Sequence, residues 1–109
     1  MTEPGDETLE KGLGLLGLAR RSGQLAVGAS AVEQMVHRGK RPVVIVARDA
    51  GETQRRRMLA LRPVRGFVAD AFDRETLAQR LGRGELVVVA VSEPGFVSGL
   101  ISLGLVREA

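Results

Sequence analysis

Gly12-Leu13-Gly14-Leu15-Leu16-Gly17 spaces three glycines as the phosphate-cradling turn of dinucleotide-binding folds does. That turn works only where a strand precedes it, a helix opens at its third glycine and an acid follows about 20 residues on to meet a ribose. Here Asp6-Glu7-Thr8-Leu9-Glu10-Lys11 comes first, a charged helix opening without a β-branched apolar run. Leu9, Leu13 and Leu16 recur at helical spacing, and Arg20-Arg21-Ser22-Gly23 reads as a helix end. The glycines are therefore expected inside a helix. Each costs about 1 kcal/mol there against alanine, and close approach of the helix to a neighbour is the expected compensation.

Other chemistry has little footing. The single histidine, His37, sits in a basic helix end, where it complements the helix dipole. No Gly-x-Ser-x-Gly elbow is present. Asp49 follows a predicted strand, where α/β active sites gather, but beside Arg48 it reads as a cap for the next helix. The absence of cysteine removes disulfides, thiolate catalysis and cysteine-ligated metals, and one histidine excludes a His-rich zinc site. No catalytic residue, metal or cofactor is expected.

Phosphate chemistry fits better. Gly28 ends a predicted strand just before a helix start, where a residue without a side chain lets a phosphate or base edge reach the backbone. The same glycine also serves a plain strand-to-helix turn, with Ser30-Ala31-Val32-Glu33 as a capping box. There is no Trp or Tyr, and Phe67, Phe72 and Phe96 fall in apolar patterns, so stacking platforms for bases are missing. Recognition would use arginine, backbone amides and helix starts against phosphates. The charges agree with this: residues 1–10 hold four acids and no base, whereas residues 11–69 hold twelve bases against three acids, a net of +9. These cations are expected to gather around the start of the second helix.

The elements that must position these groups alternate. A first helix from Asp6 or Thr8 to Ser22 precedes a strand at Leu25-Ala26-Val27; a helix after Ser30 stops at Gly39; Pro42–Ala47 is a strand apolar throughout. A helix over Gly51–Leu61, a strand at Gly66–Ala69, a helix capped by Asp73 and ended by Gly82, and a strand at Leu86–Val91 follow. Pro94 suits the first turn of a last helix. This alternation predicts an α/β class, a helix-sheet-helix sandwich. At 109 residues with 44% hydrophobic content the chain makes one domain, residues 8–109, behind an acidic tail at 1–7 expected to be disordered. The polar N-terminus and the lack of a long apolar run predict a cytoplasmic protein.

Leu15-Leu16-Gly17-Leu18-Ala19-Arg20-Arg21-Ser22-Gly23, then Gly28, then Arg38-Gly39-Lys40, then Val43 through Ala50, in that order and spacing, resemble the ribosomal L-seven-Ae superfamily and within it the bacterial YlxQ-like branch. The stretch from Glu85 to Leu103 is similar to that branch as well. The resemblance implies a three-layer α/β/α sandwich with a mixed four-stranded sheet, and binding of structured RNA, in many members the kink-turn. Kink-turn binders carry Asn, Glu and, one turn on, Lys after the glycine; here Ser30, Ala31 and Gln34 stand there, while Gly28, Arg38 and Gly39 keep the pattern. A second family contact corresponds to Gly82-Arg83-Gly84-Glu85, which lacks apolar residues. The implied site is Gly28, Ala29, Ser30, Ala31, Gln34, Arg38 and Arg48. The expectation is a non-enzymatic, ribosome- or translation-associated RNA binder; the alternative is a protein-interaction module on the same fold, with a ribosomal or other translation protein as partner.

Overall fold

The computed structural model describes residues 4–82 and 84–109. Five helices and five strands alternate: α1 (Asp6–Arg21), β1 (Leu25–Val27), α2 (Ala29–His37), β2 (Val43–Val46), α3 (Glu52–Leu59), β3 (Gly66–Val68), α4 (Arg74–Leu81), β4 (Val88–Val91), α5 (Pro94–Ser102) and β5 (Arg107–Glu108). The sheet order is β1-β4-β2-β3-β5. β2 and β3 are parallel, while β4 is antiparallel to both β1 and β2. Hence β1, β2 and β3 all finish at one end of the sheet and all begin at the other.

Period-two alternation along the apolar strands sorts side chains into two cores. Val43, Ile45 and Ala47 join Val89 and Val91 beneath Leu13, Leu16 and Ala19 of α1, Leu77 and Leu81 of α4, and Leu100 of α5. Val44 and Val46 join Val88 and Ala90 beneath Val32 and Val36 of α2 and Met58 of α3. The result is the three-layer α/β/α sandwich. No polar side chain of the described residues is buried, so the interior between the layers is packed by apolar contact.

The helix ends follow the local chemistry. Asp73 accepts from the Thr76 amide at 2.8 Å to start α4, and Gly82 ends it at φ +76°. Pro94 occupies the first turn of α5, behind Glu93, whose carboxylate accepts from the amides of Gly95 and Phe96. α1 begins at Asp6, the earlier expected start, so Asp6 and Glu7 belong to its first turn and not to a tail. Residues 1–3 of the expected tail lie outside the described residues.

Three expectations are corrected. The sheet has five strands, not four: the turn at Gly104, φ +76°, brings Arg107 and Glu108 back against Phe67 and Gly66 of β3. The glycines of the first helix do lie inside it, but close approach accounts for only one. A Cβ at Gly12 would stand 2.7 Å from Leu105 Cδ1, one at Gly17 makes ordinary contact with Arg21, and one at Gly14 meets nothing within 4 Å. Asp49 caps not the next helix but the one after: its carboxylate accepts from the Arg74 amide at 2.8 Å, across the turn from β2 to the start of α4.

Candidate nucleic-acid interface

The start of α2 is built by backbone. Gly28 extends the β1–β4 ladder by donating to the Val88 carbonyl at 3.0 Å, and its own carbonyl accepts from the Val32 amide at 3.0 Å, closing the first helical turn. Its φ of +91° and ψ of 161° lie in a region open essentially to glycine alone. The capping box predicted at Ser30 does not form, because the helix has already begun at Ala29 and Ser30 sits within the first turn. Glu33, its expected partner, is drawn instead to Arg57, which donates from Nε at 3.0 Å and from Nη2 at 2.6 Å. No side chain caps α2. The amides of Ala29, Ser30 and Ala31 therefore have no intrahelical acceptor, and they face the positive end of the helix dipole outward.

Ser30, Gln34 and Arg38 are exposed and follow one another at four-residue intervals, which sets them along one side of α2. Val32 and Val36 hold the opposite side in the core, and Ala29, Ala31 and Met35 pack partly against it. Ala29 and Ala31 thus present their amides outward while their side chains serve packing. At about 1.5 Å per residue, Gly28 and Arg38 stand about 15 Å apart at opposite ends of the helix. Arg48 is exposed at the end of β2, separated from the β1 end by β4, about 10 Å at two strand spacings. It leans toward the turn before α4, donating to the Ala71 carbonyl at 3.4 Å and to Asp73 Oδ2 at 3.5 Å. Asp73 is a firm anchor, since hydrogen bonds from Thr76, and then the Arg48 charge, hold its carboxyl below the ordinary aspartate range.

The gathering of cations expected at the start of α2 is not what the fold builds. The arginines at this end of the sheet are neutralised: Arg48 by Asp73, Arg55 by Asp70, Arg74 by Asp49. Arg55 also ties the ends of β2 and β3, donating to the carbonyls of Ala47 and Ala69. Among the described residues, the cations without an acidic partner include Arg38, Lys40 and Arg41 beyond the far end of α2, and Arg20 and Arg21 at the end of α1. The physical reason is distance along the chain. Asp70 and Asp73 lie just outside the basic stretch in sequence and fold back onto it.

Of the loop matched to the second family contact, Arg83 lies outside the described residues. Gly84 and Glu85 run beside Arg74, Glu75 and Gln79 of α4, on the sheet face away from α2, and the chain rejoins Gly28 only at Val88. The phenylalanines are engaged as expected: Phe67 and Phe72 are buried, and the Arg62 guanidinium covers the Phe67 ring at 5.1 Å.

The fold and this helix start define a three-layer α/β/α domain with an open helix N-terminus beside a strand end. No family model matches the chain, and no curated protein does. Among solved structures, a Bacillus halodurans C protein of unknown function shares 33% sequence identity with it, over 85% of this chain and 95% of that one, with a TM-score of 0.74. The chain belongs to the same family as that protein.

Proposed function

We propose that this protein is a non-enzymatic domain that binds structured RNA along the exposed side of α2. The observation that carries this reading is the run of uncapped amides at Ala29–Ala31 and of exposed Ser30 and Gln34 along one side of α2. Backbone amides and a helix N-terminus take phosphate oxygens without reading sequence, while serine and glutamine side chains reach sugar or base edges. The resemblance to the ribosomal L-seven-Ae superfamily supports the same surface and adds a cytoplasmic, translation-associated setting. Kink-turn and ribosomal RNAs are the first ligands to test. With Ser30, Ala31 and Gln34 in place of longer readers, recognition rests on shape more than on particular bases.

Fluorescence anisotropy with a kink-turn hairpin, a straight hairpin and a single strand of equal length tests this. Binding is expected for the structured RNAs, weakening steeply with salt. Ser30→Glu places an anion in the first turn of α2, where the helix tolerates it and a phosphate does not, so the variant should fold normally and bind poorly. Absence of affinity for any structured RNA at low ionic strength defeats the reading. Shortened side chains at the reader positions favour one rival, a protein-interaction module, for which association with a translation protein would survive nuclease treatment.

A further inference from the structure

The other end of the sheet has the opposite electrostatic character. Leu25 of β1 and Val43 of β2 both lie beside Val91 of β4, so the turns leading into β1 and β2 flank the end of β4, about 10 Å apart. The last turn of α1 brings Arg20 and Arg21 to this end, and the α2–β2 turn brings Arg38, Lys40 and Arg41. The start of β3 adds Arg65, whose amide donates to the Pro42 carbonyl at 2.8 Å. Among the described residues, the acids that share the region are occupied: Glu93 caps α5, and Glu108 pairs with Arg65. Arg38, Lys40 and Arg41 are exposed and have no acidic partner among the described residues.

The backbone at Arg41 adds a second observation. Its φ is +51°, the one positive value at a non-glycine among the described residues, whereas Gly23, Gly28, Gly39, Gly82 and Gly104 fill the other such places. A glycine would meet this turn without steric objection. An arginine held there instead points to a use for its side chain.

We propose that Arg38, Lys40 and Arg41 form a second phosphate seat, so that one RNA spans α2 from the amides at its start to the cations beyond its end. This rests on the RNA-binding reading above. The span of about 15 Å is about five base pairs of duplex axis, since A-form RNA rises somewhat less per pair than the ~3.4 Å of B-form DNA. An RNA backbone suits the seat better than a lipid surface, because Arg38-Gly39-Lys40-Arg41 carries no apolar group to insert.

The test measures affinity against potassium chloride for the full chain and for the triple variant Arg38→Gln, Lys40→Gln, Arg41→Gly, whose glycine suits the turn. Thermal melts confirm folding. Removing three phosphate contacts at about 0.9 each lowers the log-log slope by about 2.7, so between about 50 and 200 mM salt the unmodified protein should lose about 40-fold more affinity than the variant. The unmodified protein should also prefer a hairpin stem of about ten base pairs to one of about three, and the variant should not. If the unmodified protein binds RNA and the variant keeps its slope and stem preference, the second seat is wrong and the RNA reading stands. If the unmodified protein binds no RNA, both fall. Binding to phosphatidylserine vesicles that depends on these residues, with RNA affinity untouched, also overturns the assignment.

Discussion

The three glycines of α1 share one helix and differ in what lies outside it, so an alanine at each separates helix propensity from packing. Alanine gains about 1 kcal/mol over glycine in a helix interior. Gly14 is exposed and an added Cβ meets nothing within 4 Å, so Gly14→Ala should keep the whole gain. Gly17 would touch Arg21 Nη1 at an ordinary 3.6 Å and should behave the same way. At Gly12 the new methyl would stand 2.7 Å from Leu105 Cδ1 and 3.4 Å from Phe72 Cζ. Forcing an atom into such packing costs about 1–3 kcal/mol, so the net effect runs from about zero to a loss of about 2. Leu105 is half-buried on the rim of a groove and can swing, which favours the smaller cost. Urea unfolding followed by circular dichroism measures the difference. With a slope of about 1–3 kcal/mol per molar, Gly14→Ala should raise the midpoint by about 0.3–1 M and Gly12→Ala should fall short of it by at least as much. An equal rise at Gly12 and Gly14 would refute the packing of α1 against the segment leading into β5. A fall at Gly14 would mean that its surface is covered by something other than this chain.

Gly28→Ala should destabilise the domain by about 1–3 kcal/mol in the same assay although its Cβ meets no neighbour, because φ +91° with ψ 161° is closed to L side chains; no loss would mean that position 28 does not hold this conformation. Gly66→Ala would set a methyl 2.7 Å from the Arg107 carbonyl oxygen, and backbone cannot yield as a side chain does. A loss of about 1–3 kcal/mol is expected, with faster amide exchange in the strands it separates, β3 and β5. The Asp73 carboxyl titrates below its ordinary value in the folded chain, so its stabilisation is present above that value and disappears as pH falls through the lowered one. The melting-temperature gap between the unmodified protein and Asp73→Ala should therefore hold at neutral pH and close in acid; a gap constant across the titration contradicts it.

Much of the architecture was legible because the strands are short apolar runs bounded by helix signals. Val43–Val46 and Val88–Val91 declare burial on both faces, and Asp73, Gly82 and Pro94 mark helix ends by chemistry confined to a few residues. β5 was not legible: two charged residues carry no periodicity, and their pairing depends on where β3 lies in space. The Ser30 box failed for a similar reason, since Gly28 starts the helix early and Arg57, 24 residues on, captures Glu33. At the candidate interface, exposure of Ser30, Gln34 and Arg38 follows from helical spacing, whereas the neutralisation of Arg48, Arg55 and Arg74 depends on acids brought from distant turns. Counting charge along a chain measures supply and leaves location undecided.

That location has a kinetic consequence. A net charge of +3 is modest, but spare guanidinium and ammonium groups lie at one pole of the domain, whereas at the other Asp49, Asp70 and Asp73 match the arginines. Such a separation is a molecular dipole, and in the field of an approaching polyanion it exerts a torque that turns the protein before contact. Orientation would then be settled during diffusion, and ionic strength would act on the rate of encounter. Exchanging charges between the poles at constant net charge would leave solubility alone and slow the arrival.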